Sequence, residues 1–274
     1  MAERVRAALV AAARDLVGVS DTPRLDAELL MAHALGDTRE TLLLRRLDEH
    51  APAGFAALLA RRLAHEPIAY ITGSRDFWTI RLAVGPGALV PRADSETLVE
   101  AAVAHFAGSA GPARILDLGT GPGTLLLACL AEWPSATGLG IDLSDAALAF
   151  ARGNGARLGI ADRAEWRRGD WAAGVDERFD LVLANPPYIG TAEPLPAEVA
   201  RFEPASALYA GSDGLDAYRE LVPQLPALIA QSGVAMVEIG ATQADSVAAL
   251  ARAAGFATTL HRDLAGRPRA IAMA

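Results

Sequence analysis

The sequence predicts an α/β protein: a mostly parallel sheet with an antiparallel C-terminal finish, preceded by a small helical domain and a linking β-hairpin. Three observations carry this. From Gly111 onward, short apolar runs alternate with helical patterns, the order that builds a parallel sheet with helices across its faces. Before residue 66 every apolar pattern has helical spacing. The last residues offer two strand-like runs joined by a short polar turn.

The elements follow in order. In residues 1–65, Val5, Leu9 and Leu16, then Leu25, Leu29 and Leu30, then Leu58, Leu59 and Leu63 recur at helical spacing, with breaks at Gly18, Pro23, Gly36 and Pro52. Residues 66–92 read as the hairpin linker. Trp78, Ile80, Leu82 and Val84 alternate with more polar neighbours, and Gly85-Pro86-Gly87 should turn the chain into Ala88-Leu89-Val90. The main domain, 93–274, should open with a helix capped by Asp94 or Ser95 that buries Leu98, Ala102 and Phe106. Strands are expected at 114–118, 137–141, 164–168, 179–184 and 233–239, and helices at 124–132, 144–158 and 243–254. Segments 257–261 and 268–273 form the antiparallel finish.

With 274 residues the chain has room for one large domain and a small one. An apolar content of 52% with an ordinary charged fraction reads as soluble and globular. The net charge of −8 argues against a surface that coats nucleic acid, so no direct nucleic-acid contact is expected. All 25 basic residues are Arg, which with the abundant Ala reads as coding bias. The pairs Arg45-Arg46, Arg61-Arg62 and Arg167-Arg168 should be solvated, the first two being available to a partner. Cys129 sits in a leucine-rich run and reads as a small core residue. The longest uncharged stretch, 221–237, contains Pro223, Pro226 and Gln231, a poor membrane span. Glu3, Arg4, Arg6, Arg14 and Asp15 suit an amphipathic helix better than a signal peptide. A cytoplasmic, monomeric protein without membrane contact is the expectation.

The chemistry concentrates at strand ends. "DLGTGPG", 117–123, follows the first strand of the main domain and opens a helix; Gly119, Gly121 and Gly123 allow a tight turn and close approach to a ligand. Dinucleotides and adenosyl ligands both use such turns. A dinucleotide fingerprint wants Gly-x-Gly-x-x-Gly, and here the third glycine comes one residue early; no Lys-Ser/Thr follows, which excludes a P-loop. Asp142 ends the second strand, where an acid can accept from both ribose hydroxyls, while Ser144 caps the next helix. Asp170-Trp171 ends the third strand, suited to an adenine edge and face.

Asn185-Pro186-Pro187-Tyr188 ends the fourth. Any turn residue stops a strand, so two prolines between an amide and a phenol exceed that need. Asn185 brings a side-chain carbonyl, Pro186 a backbone carbonyl with no N–H beside it, and Tyr188 a flat face. Such a set would hold a planar NH2 group by both hydrogens.

"DLGTGPG", "IDLS", "GDW" and "NPPYI", in that order, resemble the class I S-adenosylmethionine-dependent methyltransferases, with their Rossmann-like sheet, that act on planar amino groups. With "PIAYITGSRDFW", "ALVPRADSETLVE", "EPASALYAGSDGLDAYRE" and "DLAGRPR", nearly the whole chain resembles the release factor glutamine methyltransferase family. The resemblance implies methylation of the glutamine N5 in the Gly-Gly-Gln loop of class 1 peptide release factors, with the helical N-terminal domain docking that substrate. It implies S-adenosylmethionine held by Gly119, Thr120, Gly121, Pro122, Gly123, Asp142, Asp170, Trp171 and Asn185, and substrate held by Asn185, Pro186, Pro187 and Tyr188, with no metal. Arg92 and Glu96 lie in a family motif without a derivable role. Two positions depart from the pattern: Pro122 stands where a small residue is usual, and Ala93 replaces a frequent Pro. The alternatives are an adenine-N6 methyltransferase acting on nucleic acid and a non-catalytic adaptor with a methyltransferase fold.

Overall fold

In the computed structural model, which describes residues 3–274, a short hairpin pairs β1 (Ser74–Phe77) with β2 (Ile80–Ala83). The main sheet has seven strands: β3 (Arg114–Leu118), β4 (Thr137–Asp142), β5 (Ala164–Arg168), β6 (Phe179–Ala184), β7 (Ile229–Glu238), β8 (Thr258–Arg262) and β9 (Pro268–Met273). Their spatial order is β5-β4-β3-β6-β7-β9-β8. Strands β3 to β7 run parallel, whereas β9 lies antiparallel to both β7 and β8. Parallel strands are covered on both faces, so they bury residues without alternation. Ile115 to Leu118 and Leu181 to Ala184 are all buried.

The strand order reverses beside β3: β4 and β5 extend to one side, β6 and β7 to the other. Ligands of open α/β sheets bind outside the carboxyl ends of strands at such a reversal. Leu118 pairs with Ala184 in register, so the glycine loop and Asn185 leave the sheet side by side. Pairing of Ala184 with Val237 sets Glu238 next to Asn185 on the neighbouring strand.

Contacts divide the described chain into two units, one running to Ser74 together with Leu195–Phe202, the other comprising Arg75–Pro194 and Glu203–Ala274. In the first, the helices Val5–Asp15, Pro23–Leu35 and Phe55–Leu63 enclose Leu9, Leu16, Leu30, Met31 and Phe55. Leu25 and Leu63 have helical spacing but remain exposed. Arg62 corrects the expectation of a solvated pair. Its side chain is buried, with Nε 2.7 Å from Asp26 and Nη1 2.5 Å from Glu198. A partner 36 residues away cannot be read from the local run Arg61-Arg62.

Three local expectations change. A helix, Ile68–Thr72, occupies the start of the expected linker, led by Pro67 at φ −58 and ended by left-handed Gly73. The hairpin turns at Trp78-Thr79, ahead of Gly85-Pro86-Gly87. Trp78 adopts φ 53, a conformation costly for a bulky residue, and its N–H donates to the Glu96 carboxylate at 2.8 Å. Residues 88–90 form no strand; the Val90 N–H donates to the Glu203 carboxylate instead. Neither Asp94 nor Ser95 caps the helix Glu96–His105 with its side chain. Asp94 pairs with Arg267 and Arg269, and Ser95 accepts from Asn185. Strand β7 begins at Ile229 and β4 reaches Asp142, each longer than expected. Among the described residues no helix is long and apolar enough to cross a membrane.

Candidate active site

The glycine loop leaves β3 with Gly119, Gly121 and Gly123 all at positive φ, which side chains resist. At Gly123 an added Cβ would also lie 2.8 Å from Leu127 and 2.9 Å from Trp166. The loop uses its own N–H groups internally. Those of Gly119 and Thr120 donate to the Ile141 carbonyl, that of Gly121 to Asp142 Oδ2, and that of Gly123 to the Thr120 carbonyl. Pro122 has none to lose, so its departure from the family pattern leaves the turn intact; its carbonyl accepts from Asn154 at 2.8 Å. A pyrophosphate would need those donors free. The loop instead suits a ligand held by close contact.

Asp142 accepts from Gly121 N through Oδ2 and from Ser144 N through Oδ1, both at 2.8 Å. Each carboxylate oxygen keeps a further lone pair for a hydroxyl. Ser144 caps its helix as expected, accepting from Ala147 N. Trp171 takes φ 46, and its Nε1 donates to Glu220 at 3.2 Å, so the ring is tethered at its edge.

One cavity is lined by Gly119, Thr120, Gly121, Pro122, Asp142, Asp170, Trp171, Asn185 and Pro187. Gly123, Pro186 and Tyr188 do not line it. The Tyr188 hydroxyl reaches instead to Glu238 Oε1 at 3.3 Å. Burial, then the neighbouring Glu238 charge, pushes the phenol up, which keeps it neutral. Gln243 fixes the turn by donating to the carbonyls of Tyr188 and Gly214 at 2.9 and 3.1 Å. Asn185 Nδ2 donates one hydrogen to Ser95 Oγ at 3.2 Å, which leaves its second amide hydrogen and the acceptor Oδ1 to offer a ligand.

Local sequence patterns missed several residues here. Arg92 lines the cavity and pairs with buried Glu203, 111 residues away, which also holds Val90. Glu96 anchors the hairpin turn through Trp78. Asp117 lies in the glycine motif but carried no assignment. It is 1% exposed; Oδ2 accepts from the Thr120 hydroxyl at 2.6 Å and Leu126 N at 3.2 Å, while Oδ1 has no partner. An acid within or closing an apolar strand is the available signal, and Glu238 in Val237-Glu238-Ile239 is a second case.

Burial pushes the Asp117 carboxyl up to about 7, against hydrogen bonds from Thr120 and Leu126 that lower it. The folded value exceeds the ordinary one of 3.8. Its contribution to stability is therefore full below that value and is lost as pH rises through 7. Relative to wild type, Asp117→Asn should gain stability with rising pH across this window, by at most about 1.4 kcal/mol per pH unit. Urea unfolding of both proteins from pH 4.5 to 7.5 measures it; a pH-independent difference would contradict the assignment.

Comparison with known proteins shows what the chain is similar to. Residues 7–73 match the family described as PrmC N-terminal domain, and residues 95–202 match Methyltransferase small domain. Over 257 residues the chain is 46% identical to the release factor glutamine methyltransferase of Rhodospirillum rubrum, covering 92% of this chain and 78% of that protein. The Cereibacter sphaeroides protein of the same name is 45% identical over 261 residues, 93% of this chain and 91% of its own. A solved structure of ribosomal protein L11 methylase from Lactobacillus delbrueckii subsp. bulgaricus matches with a TM-score of 0.50 at 22% identity, over 67% of this chain and 79% of that one, a likeness of fold.

Proposed function

The chain belongs to the release factor glutamine methyltransferase family, and from that premise we propose that it methylates the glutamine N5 in the Gly-Gly-Gln loop of class 1 peptide release factors with S-adenosylmethionine. On this reading the helical unit, of which residues 7–73 match the PrmC N-terminal domain, would dock the release factor. The observation that carries the reading is the placement of Asn185: it lines the cavity at the carboxyl ends of β3 and β6 with one amide hydrogen given to Ser95, and its carbonyl oxygen is available to accept a ligand N–H.

The residues fit the cofactor. The unpartnered Oδ1 of buried Asp117 and the acids Asp142 and Asp170 suit a cationic ligand, and the occupied loop N–H groups do not suit a phosphate. Gly119 to Pro122 would pack against it, Asp142 would accept from the ribose hydroxyls, and Asp170 with Trp171 would bracket the adenine. When bound, S-adenosylmethionine supplies a methyl group activated by its sulfonium.

A carboxamide nitrogen is a poor nucleophile because its lone pair is shared with the carbonyl. Asn185 Oδ1 and the Pro186 carbonyl, accepting one N–H each, would fix both hydrogens and orient that lone pair. Nitrogen gains positive charge as its new bond forms, so the same acceptors bind the transition state more strongly than the ground state. The prolines hold the acceptors rigid. Tyr188, neutral and tethered to Glu238, would supply a flat wall for the amide. No base on the chain is needed before transfer, since the proton can leave the nitrogen afterwards.

Incubation with methyl-labelled cofactor and a purified release factor, followed by peptide mapping, tests the reading; label is expected on the Gly-Gly-Gln glutamine, and none there would refute it. Asp142→Ala should leave the fold intact and weaken cofactor binding by at least about tenfold, since hydrogen bonds to a charged group contribute roughly 1.5–3 kcal/mol. Calorimetric titration checks this, and unchanged affinity in a folded variant would remove Asp142 from the site.

A further inference from the structure

We propose that Arg92 binds the carboxylate at the amino-acid end of the cofactor and is held in place for it by Glu203, an inference that rests on the S-adenosylmethionine reading above. That end of the ligand carries an ammonium, which needs acceptors, and a carboxylate, which needs donors. The cavity is rich in the first and poor in the second. Asp117, Asp142 and Asp170 line it, and Arg92 is the one cation among its described lining residues. The glycine loop has little for a carboxylate: the N–H groups of Gly119, Thr120, Gly121 and Gly123 are engaged within the protein, and Pro122 has none. The buried Asp117 Oδ1, without a partner, suits the ammonium. A carboxylate would be repelled by the acids and drawn to the cation.

The order of the strands places Arg92 at the matching end. On the reading above, adenine and ribose lie over β5 and β4, and β3 and β6 come next in the sheet. Asn185, just past β6, is joined at 3.2 Å to Ser95, three residues from Arg92. A ligand laid across the strand ends from adenine to sulfonium therefore directs its amino-acid end toward residues 92–95.

Arg92 is also prepared for an anion. Its Nη2 donates to Glu203 Oε1, and Glu203 is its one hydrogen-bond partner among the described residues. The Glu203 side chain is 1% exposed, and its other oxygen accepts from Val90 N at 3.1 Å. One part of the guanidinium is thus fixed to the protein, while Nε and Nη1 keep their donors on a side chain 38% exposed. An isolated cation would repel the sulfonium. With Glu203 beside it, Arg92 offers directed N–H groups with its charge largely offset, and such a fork matches a carboxylate.

Calorimetric titration of the protein with two nucleosides tests this: S-adenosylhomocysteine, and its analogue with hydrogen in place of the carboxylate. The wild type should bind the first at least about tenfold more tightly, the scale of hydrogen bonds to a charged group. In Arg92→Gln the preference should shrink to about twofold or less, through weaker binding of S-adenosylhomocysteine while the analogue binds as before. If unpaired Glu203 prevents folding, Arg92→Gln combined with Glu203→Gln removes both charges and keeps an acceptor for Val90 N. The same loss of preference is expected there.

A preference that survives the substitution would overturn the inference and give the carboxylate to the helix that opens at Thr124. Equal losses for both ligands would also overturn it, making Arg92 a residue that shapes the pocket. A wild type that binds both nucleosides without preference contradicts the inference and leaves the proposed function standing. One that binds neither refutes the cofactor assignment, and the inference falls with it.

Discussion

Asn185→Ala is expected to lower kcat by about 10²–10³-fold, the usual consequence of removing one preorganised group that stabilises developing charge. The substitution deletes the acceptor for one amide hydrogen and frees the other to rotate, so both orientation and charge stabilisation suffer. Cofactor affinity should change far less, because the glycine loop and Asp142 are untouched. Asn185→Asp is the sharper companion. It restores an acceptor oxygen but gives up the NH2 that binds Ser95, and it adds a carboxylate near buried Glu238. It should recover only part of the loss. Single-turnover kinetics at saturating cofactor, beside calorimetric affinities, separate the two effects; a variant with near-wild-type kcat would remove Asn185 from the chemistry.

Arg62→Ala should destabilise the helical unit by about 3–5 kcal/mol, the cost of leaving a buried ionic partner uncompensated. Arg62 and Asp26 are both almost fully buried, and after truncation Asp26 keeps, among the described residues, only the Thr22 hydroxyl at 3.3 Å. Glu198 loses its partner at the same time. Replacing both members, Arg62→Met with Asp26→Leu, should restore most of the stability, since a well-packed apolar pair often equals or exceeds a buried ion pair. Denaturant unfolding of the three proteins decides. If the single and double variants are equally unstable, the loss comes from packing and not from an unpaired charge.

What could be read in advance was what lies close together along the chain. The strands ending at Leu118 and Ala184, the glycine loop and Asp142 all announce themselves within windows of a few residues, through apolar runs followed by turn chemistry. The hairpin was misplaced because Gly85-Pro86-Gly87 is the stronger turn signal, whereas the actual turn depends on Glu96 binding Trp78 N from 18 residues away. Longer distances hid more. Ser95 resembles a helix cap until Asn185, 90 residues on, claims its oxygen. Glu203 resembles a surface acid until it is found 1% exposed as a side chain, holding Arg92. Arg62 resembles half of a solvated pair for the same reason. Buried polar partners are chosen by the fold, and local patterning is silent about them.

The most direct test presents the enzyme with three acceptors under one set of conditions: a release factor carrying Gly-Gly-Gln, the same protein carrying Gly-Gly-Glu, and DNA or RNA containing adenine. If Asn185 and the Pro186 carbonyl hold an NH2 by its two hydrogens, the glutamine protein is labelled. Glutamate removes both donors and sets acceptors against acceptors, a buried mismatch costing several kcal/mol, about 4 on a water-to-cyclohexane reference. Label should therefore vanish from the loop, and adenine should take none. Labelled adenine beside an unlabelled release factor would contradict the glutamine assignment.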